Sequence, residues 1–231
     1  MFEVTITREQ REILKTVDHT HLDPLSTWEQ IQTLCQEGLL YHVASVCIPP
    51  LYVDRAARFL EGQLPVCTVI GFPNGYNTLQ TKLSEAREAI ANGAKEIDAV
   101  ISLGNVKSGH FDAVRDEIRT MREVCEGMIL KVIIETCFLT TQEKIRMCEI
   151  VTQEQADFIK TSTGFGTGGA TLEDIILFGN HIGPNVRIKA AGGIATMEDA
   201  RVFLDAGASR LGTSRIVKLI QKKQTEGYAS R

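Results

Sequence analysis

The sequence predicts an α/β protein folded as a single (β/α)8 TIM barrel, and three observations carry that expectation. Segments rich in valine, isoleucine and alanine recur eight times, each followed by apolar residues at helical spacing, at intervals of roughly 20–30 residues. The run Pro65–Phe72 (PVCTVIGF) is apolar almost throughout, as strands covered on both faces are. No linker, low-complexity tract or internal repeat divides the 231 residues, which suit one domain over 1–231. An open doubly wound sheet shares the alternation of strand and helix, but eight units favour closure.

In chain order, Thr7-Arg8-Glu9-Gln10 has the form of a capping box, so a short N-terminal helix is expected within residues 1–16. VDHTHLDP (Val17–Pro24) ends the first strand with polar residues and a proline. Trp28, Ile31, Leu34 and Cys35 mark a helix that Gly38 is placed to end. The second strand falls within Tyr41–Pro49, where alternation separates Val43, Ser45 and Cys47 from Ala44, Val46 and Ile48. A helix over Val53–Leu60 precedes the third strand, Pro65–Phe72. Leu79, Leu83, Ala86 and Ile90 share a helical face before the fourth strand, Glu96–Ser102. The helix Phe111–Cys125 leads to the fifth strand, Leu130–Cys137, and a helix near Gln142–Val151 leads to the sixth, DFIKTST. A helix from Leu172 precedes RIKAAGG, and one carrying Ala200, Phe203 and Leu204 precedes the eighth strand, Arg210–Ser214. The last helix is expected over Ile216–Lys222, with a flexible tail at 224–231.

The charge balance narrows the function. With 25 basic and 29 acidic residues, well mixed and summing to −4, the chain lacks the positive field of a nucleic-acid binder. It has no apolar run of membrane-spanning length, and its N-terminus is too polar for a secretion signal, so a cytoplasmic protein is expected. The six cysteines have no close paired spacing, which argues against a zinc knuckle or a disulfide framework. His19 and His21 flank Thr20 at a spacing that could offer two ligands from one strand face, but no clear third ligand is near in sequence and no metal is expected.

The chemistry concentrates in ADFIKTSTGFGTGG, Ala156–Gly169. Lys160 sits mid-strand between Ile159 and Thr161, where an ammonium must be desolvated or paired. Thr163 and Gly164 begin a glycine loop that approaches a ligand closely before a helix opens at Thr171-Leu172. Asp98 and Lys189 are likewise isolated charges in apolar strands. In a (β/α)8 barrel the strand C-termini form the active site, and polar residues gather there: Asp18, Cys47, Asp98, Glu135, Lys160 and Lys189. If the trio points inward, Asp98 offsets the two lysines while the second ammonium disfavours protonation of the first. A lysine with an ordinary pKa near ~10.4 needs such help to act as a nucleophile at neutral pH. Gly192-Gly193 and Gly212-Thr213-Ser214 follow the seventh and eighth strands, where barrels hold phosphate on backbone amides. Arg187 shares the face of Lys189 deeper in the barrel, with Glu96 as a conceivable partner.

FIKTSTGFGTGGAT, EIDAVISLG, LKVIIET and IKAAGGI, together with DHTHLDP and VCIPP, resemble the deoxyribose-phosphate aldolases, a class I aldolase family, from about Val17 to Ser214. The resemblance implies reversible cleavage of 2-deoxy-D-ribose 5-phosphate to acetaldehyde and D-glyceraldehyde 3-phosphate, with no metal or organic cofactor. It implies Lys160 as the Schiff-base nucleophile, Asp98 as a proton donor and acceptor, Lys189 as the second lysine, and Cys47 near the substrate. The match departs at His21 and Asp23, where relatives carry leucine and lysine, and at Ala195 and Phe165, where relatives carry cations. Phosphate would then rest on the glycine amides and Ser214. Some relatives use a tail tyrosine in proton transfer, a place that Tyr228 could take. Two other functions stay open: a Schiff-base aldolase for another deoxy or unphosphorylated aldehyde, and a silent phosphosugar-binding barrel. The oligomeric state is also open, a homodimer included.

Overall fold

Eight parallel strands close on themselves in chain order in the computed structural model, which describes residues 6–229, those beyond Lys222 as backbone only. They are β1 (Val17–Thr20), β2 (Ser45–Ile48), β3 (Val66–Ile70), β4 (Glu96–Val100), β5 (Ile129–Ile133), β6 (Phe158–Lys160), β7 (Arg187–Ala191) and β8 (Arg210–Thr213). Val17–His19 pair with Leu211–Thr213, so the sheet has no edge and the open alternative is excluded. Period-two alternation then divides each strand. Val46, Ile48, Ile97, Ala99, Leu130, Val132, Ile159 and Ile188 join the apolar layer beneath the helices, while Cys47, Cys67 and Val69 form a separate inner cluster.

The helices are α1 (Arg8–Leu14), α2 (Trp28–Tyr41), α3 (Val53–Leu60), α4 (Leu79–Ala91), α5 (Leu103–Lys107), α6 (Phe111–Val124), α7 (Thr141–Gln153), α8 (Leu172–His181), α9 (Met197–Asp205) and α10 (Ile216–Ala229). The capping box before α1 is present, with Thr7 and Gln10 bonding reciprocally. Thr140 and Thr196 cap α7 and α9 in the same way. Three elements differ from expectation. The helix α2 does not end at Gly38 but runs through it to Tyr41, where left-handed His42 caps it. The short helix α5 occupies the loop after β4, and α10 continues to Ala229 rather than giving way to a tail at 224. The side chain of Tyr228 lies outside the described residues.

Most strands are shorter than their apolar runs, and several stop early at the end that builds the site. β2 ends before Pro49-Pro50, β5 ends two residues before Glu135, whose φ of 49° leaves the extended region, and β6 ends at Lys160. The strand that carries Asp98 is braced from outside. Lys82 of α4, fully buried, donates to the Val100 carbonyl at 2.8 Å and to Glu117 of α6 at 2.5 Å, and Glu117 accepts the Ser102 N–H at 2.9 Å. No described helix is long and apolar enough to cross a membrane.

Candidate active site

Strand register decides which inward residues meet. Asp98 lies opposite Lys131, and Lys160 opposite Lys189. Asp98 is the hub. Its Oδ2 is 2.7 Å from Lys160 Nζ and 2.6 Å from Lys189 Nζ, while its Oδ1 accepts Lys131 Nζ at 2.8 Å and the Cys67 thiol at 3.2 Å. The three residues singled out from sequence are therefore in direct contact.

Around them stand two cations, Lys131 and Arg210, that the sequence reading passed over. Lys131 also reaches Glu96 at 2.6 Å and Asp18 at 3.5 Å. Arg210 bonds Asp18 at 2.6 Å and Glu96 at 3.2 Å, and Lys189 donates to Asp18. Four cations thus face three carboxylates in a space where Asp18, Asp98, Lys131 and Lys189 have no solvent exposure. Fully charged, the group carries one net positive charge, four against three, so loss of a single proton leaves it balanced. Buried ions are retained only when paired in this way.

The pairing ranks the lysines. Lys131 has three carboxylates within ion-pair distance, Lys189 two and Lys160 one. Burial would pull Lys189 down, yet Asp18 and Asp98 outweigh it and push its pKa above the ordinary lysine value. Lys131 is driven up against burial by the same two aspartates. Both are held as ammonium ions and make poor nucleophiles. Burial would likewise raise Asp98, but Lys131, Lys160 and Lys189 hold its carboxyl well below the usual range.

Lys160 is also the member of the trio that lines a cavity of about 520 Å³ at the C-terminal mouth of the barrel. Thr163 and Gly164 wall it on one side, and Gly192, Gly193, Gly212 and Ser214 on the other. Gly192 and Gly193 have φ near +84° and +83°, a conformation that suits glycine and leaves their backbone bare to a ligand. Gly169 presses on this turn: a Cβ there would meet the Gly192 carbonyl oxygen at 2.5 Å. Ala170 N–H donates to both the Ala191 and the Gly192 carbonyls, which ties the loops after β6 and β7 together. Thr163 is held by Glu135, whose carboxylate accepts its N–H at 3.2 Å and its hydroxyl.

Several sequence expectations are corrected. Asp18 does not reach the cavity; Lys131, Lys189 and Arg210 engage it beneath, and Ser45 donates to it at 2.8 Å. Cys47 is fully buried in the inner cluster, and it is Cys67 that bonds Asp98. Arg187, the first residue of β7, is exposed and stacks over Phe158 at 4.1 Å, so Glu96 takes Lys131 and Arg210 instead. His19 points to Glu37 of α2 at 2.8 Å whereas His21 lines the cavity, so the two share no ligand face.

Two thiol and carboxylate sets, Cys47-Cys67-Asp98 and Asp18-Cys67-Glu96, have the spacing of metal ligands. Lys131 Nζ already sits at 3.2 Å from Cys67, on Asp98 and on Glu96, so an ammonium stands where a metal cation would have to be. At the rim, Arg215 and Lys218 line the cavity beside Ser214. They restore positive charge near the glycine turns, which Ala195 and Phe165 do not supply. A scan confined to strand ends misses both, since Arg215 lies past β8 and Lys218 is already in α10.

The chain matches known proteins along most of its length. The family model described as DeoC/LacD family aldolase covers residues 12–215. A deoxyribose-phosphate aldolase of Clostridium botulinum (strain Alaska E43 / Type E3) is 54% identical over 217 residues, 94% of this chain and 98% of its own. One from Clostridioides difficile (strain 630) is 54% identical over 218 residues, 94% of this chain and 100% of its own. Among solved structures, the tetrameric deoxyribose phosphate aldolase of Aeropyrum pernix superposes with a TM-score of 0.86 at 29% identity, covering 93% of this chain and 92% of that one.

Proposed function

Because this chain belongs to the DeoC/LacD aldolase family, we propose that it is a deoxyribose-phosphate aldolase that uses Lys160 as its Schiff-base nucleophile. The substrate is 2-deoxy-D-ribose 5-phosphate, and the products are acetaldehyde and D-glyceraldehyde 3-phosphate. The observation that carries the assignment of Lys160 is its double placement: of the three lysines on Asp98, it alone opens into the cavity, and it has the fewest carboxylate partners.

The steps follow from that placement. Neutral Lys160 Nζ attacks C1 of the open-chain aldehyde, and loss of water gives an iminium ion, an electron sink. The C3 hydroxyl loses its proton, the C2–C3 bond breaks, and its electron pair moves toward nitrogen to leave an enamine on Lys160 and free glyceraldehyde 3-phosphate. Protonation at C2 and addition of water then release acetaldehyde and the amine. Asp98 Oδ2 lies between Lys160 and Lys189, so one atom links the nucleophile to the second lysine for proton exchange. The same oxygen offsets the iminium charge while that charge exists. The phosphate rests on the Gly192-Gly193 amides and Ser214, with Arg215 and Lys218 near. This supports phosphate recognition without the cations absent at Ala195 and Phe165.

Borohydride reduction in the presence of acetaldehyde, followed by peptide mass spectrometry, tests the reading. A fixed two-carbon adduct on the peptide containing Lys160 is expected. An adduct on Lys189 would reverse the two roles, and absence of any active-site adduct on folded protein would leave a silent binding barrel. A second expectation concerns the coupled loops. Gly169→Ala forces the turn at Gly192 to shift, so KM for the phosphorylated sugar should rise about tenfold while kcat changes little. Steady-state kinetics with phosphorylated and unphosphorylated sugar would show it, the latter being spared.

A further inference from the structure

One residue lining this cavity, His21, carries a buried ring nitrogen that has no partner among the described residues. Five buried side-chain nitrogens and oxygens among the described residues lack a hydrogen bond, and of these only His21 Nε2 belongs to a residue lining the cavity of Lys160. A buried ring nitrogen left unpaired forfeits its hydration with nothing in return, so such atoms call for a reason. The surrounding segment is otherwise engaged. Thr20 Oγ1 donates to the Asp18 carbonyl at 2.8 Å, His19 Nε2 is on Glu37, and Asp23 Oδ1 accepts the Leu25 N–H at 2.8 Å. The His21 N–H donates to the Cys47 carbonyl at 2.9 Å, and Leu22 packs on the Cys47, Cys67 and Val69 cluster. The backbone is thus fixed on both sides of a ring with a free nitrogen.

The position of that ring suggests what it meets. One cavity holds Lys160 on β6, the turns after β7 and β8, and His21 on the loop after β1, the neighbour of β8, so His21 borders the same space as the nucleophile and the phosphate turns. We propose that His21 Nε2 hydrogen-bonds a hydroxyl of the glyceraldehyde half of the substrate, and so selects hydroxylated chains over plain aldehydes. This rests on the aldolase reading above. An imidazole nitrogen donates or accepts according to tautomer, and a hydroxyl satisfies either.

The test compares three reactions in the wild type, His21→Leu and His21→Gln: cleavage of 2-deoxy-D-ribose 5-phosphate, cleavage of 2-deoxy-D-ribose, and self-addition of acetaldehyde, whose acceptor has no hydroxyl. For His21→Leu the ratio of sugar cleavage to acetaldehyde self-addition, in kcat/KM, should fall about tenfold for both sugars, the scale of one hydrogen bond. His21→Gln, whose amide reaches near the position of Nε2, should recover part of that ratio. His21→Ala gives the same comparison if the leucine variant folds poorly. An unchanged ratio overturns the contact, because a merely structural role lowers all three reactions together. A fall confined to the phosphorylated sugar also overturns it, by moving the contact to phosphate. Failure of the wild type to cleave either sugar sinks the reaction and the contact together, whereas a flat ratio in an active enzyme sinks the contact alone.

Discussion

Lys160→Ala should abolish sugar cleavage and leave the barrel standing. Loss of a covalent nucleophile costs roughly 10⁴-fold or more in kcat, which single-turnover assays with excess enzyme would register. The fold survives because of how the charges are counted. Removing Lys160 leaves three cations facing three carboxylates, and Asp98 keeps Lys131 at 2.8 Å and Lys189 at 2.6 Å. No buried carboxylate is orphaned, so the thermal midpoint should move little. Retained activity in a folded variant would remove Lys160 from the chemistry and turn attention to Lys189.

Asp98→Asn should instead damage catalysis and stability together. The amide keeps the shape of the carboxylate but withdraws the charge that Lys131, Lys160 and Lys189 share, and it offers donors to groups that are themselves donors. Breaking a buried ion pair from one side costs about 3–5 kcal/mol. For a domain of this size that is a fall of roughly 10 °C in the thermal midpoint. Activity should fall by about 10²–10⁴-fold, as when a positioned proton-transfer group is lost. The stability effect has a pH signature. The Asp98 carboxyl lies well below its unfolded value of about 3.9, so its contribution is complete at neutral pH and fades as pH falls past that unfolded value toward the folded one. The difference in unfolding free energy between wild type and Asp98→Asn should therefore narrow below about pH 4. A constant difference in denaturant titrations would show that Asp98 is not the charged hub described above.

Lys160, Asp98 and Lys189 were legible in the sequence because each interrupts an apolar strand with a charge, and burial makes that conspicuous. Lys131 carries the same signal in LKVII, yet it was read only as part of a strand. Its role depends on register, since only pairing of Asp98 with Lys131 shows that they share a side, and register between strands 33 residues apart is not written in either one. Arg187 and Arg210 show the limit in the opposite direction. Both begin inward-facing runs, but Arg187 opens on solvent and stacks on Phe158 while Arg210 turns to Asp18 and Glu96. The strands themselves were easy to find, as was the glycine turn at Gly192-Gly193. Their C-terminal limits were not, because the apolar pattern runs on where the backbone has already left the ladder to form the mouth.

The ion pairs beneath Lys160 also set when in folding the enzyme becomes one. Asp18 is 171 residues from Lys189 and 192 from Arg210, so those contacts join the first strand to the last two. Such distant partners meet only after the intervening chain has paid most of its entropy of ordering. Until then Lys189 lacks one of its two carboxylates, and a partly assembled sheet carrying every lysine would miss the anion that the first strand supplies. A copy missing its first strand would keep Lys160, Asp98 and the glycine turns, and still have lost the anion that fixes the charge of Lys189. Turnover in this protein therefore reports a finished ring, and a nascent chain gains it only once its final strand has docked on its first.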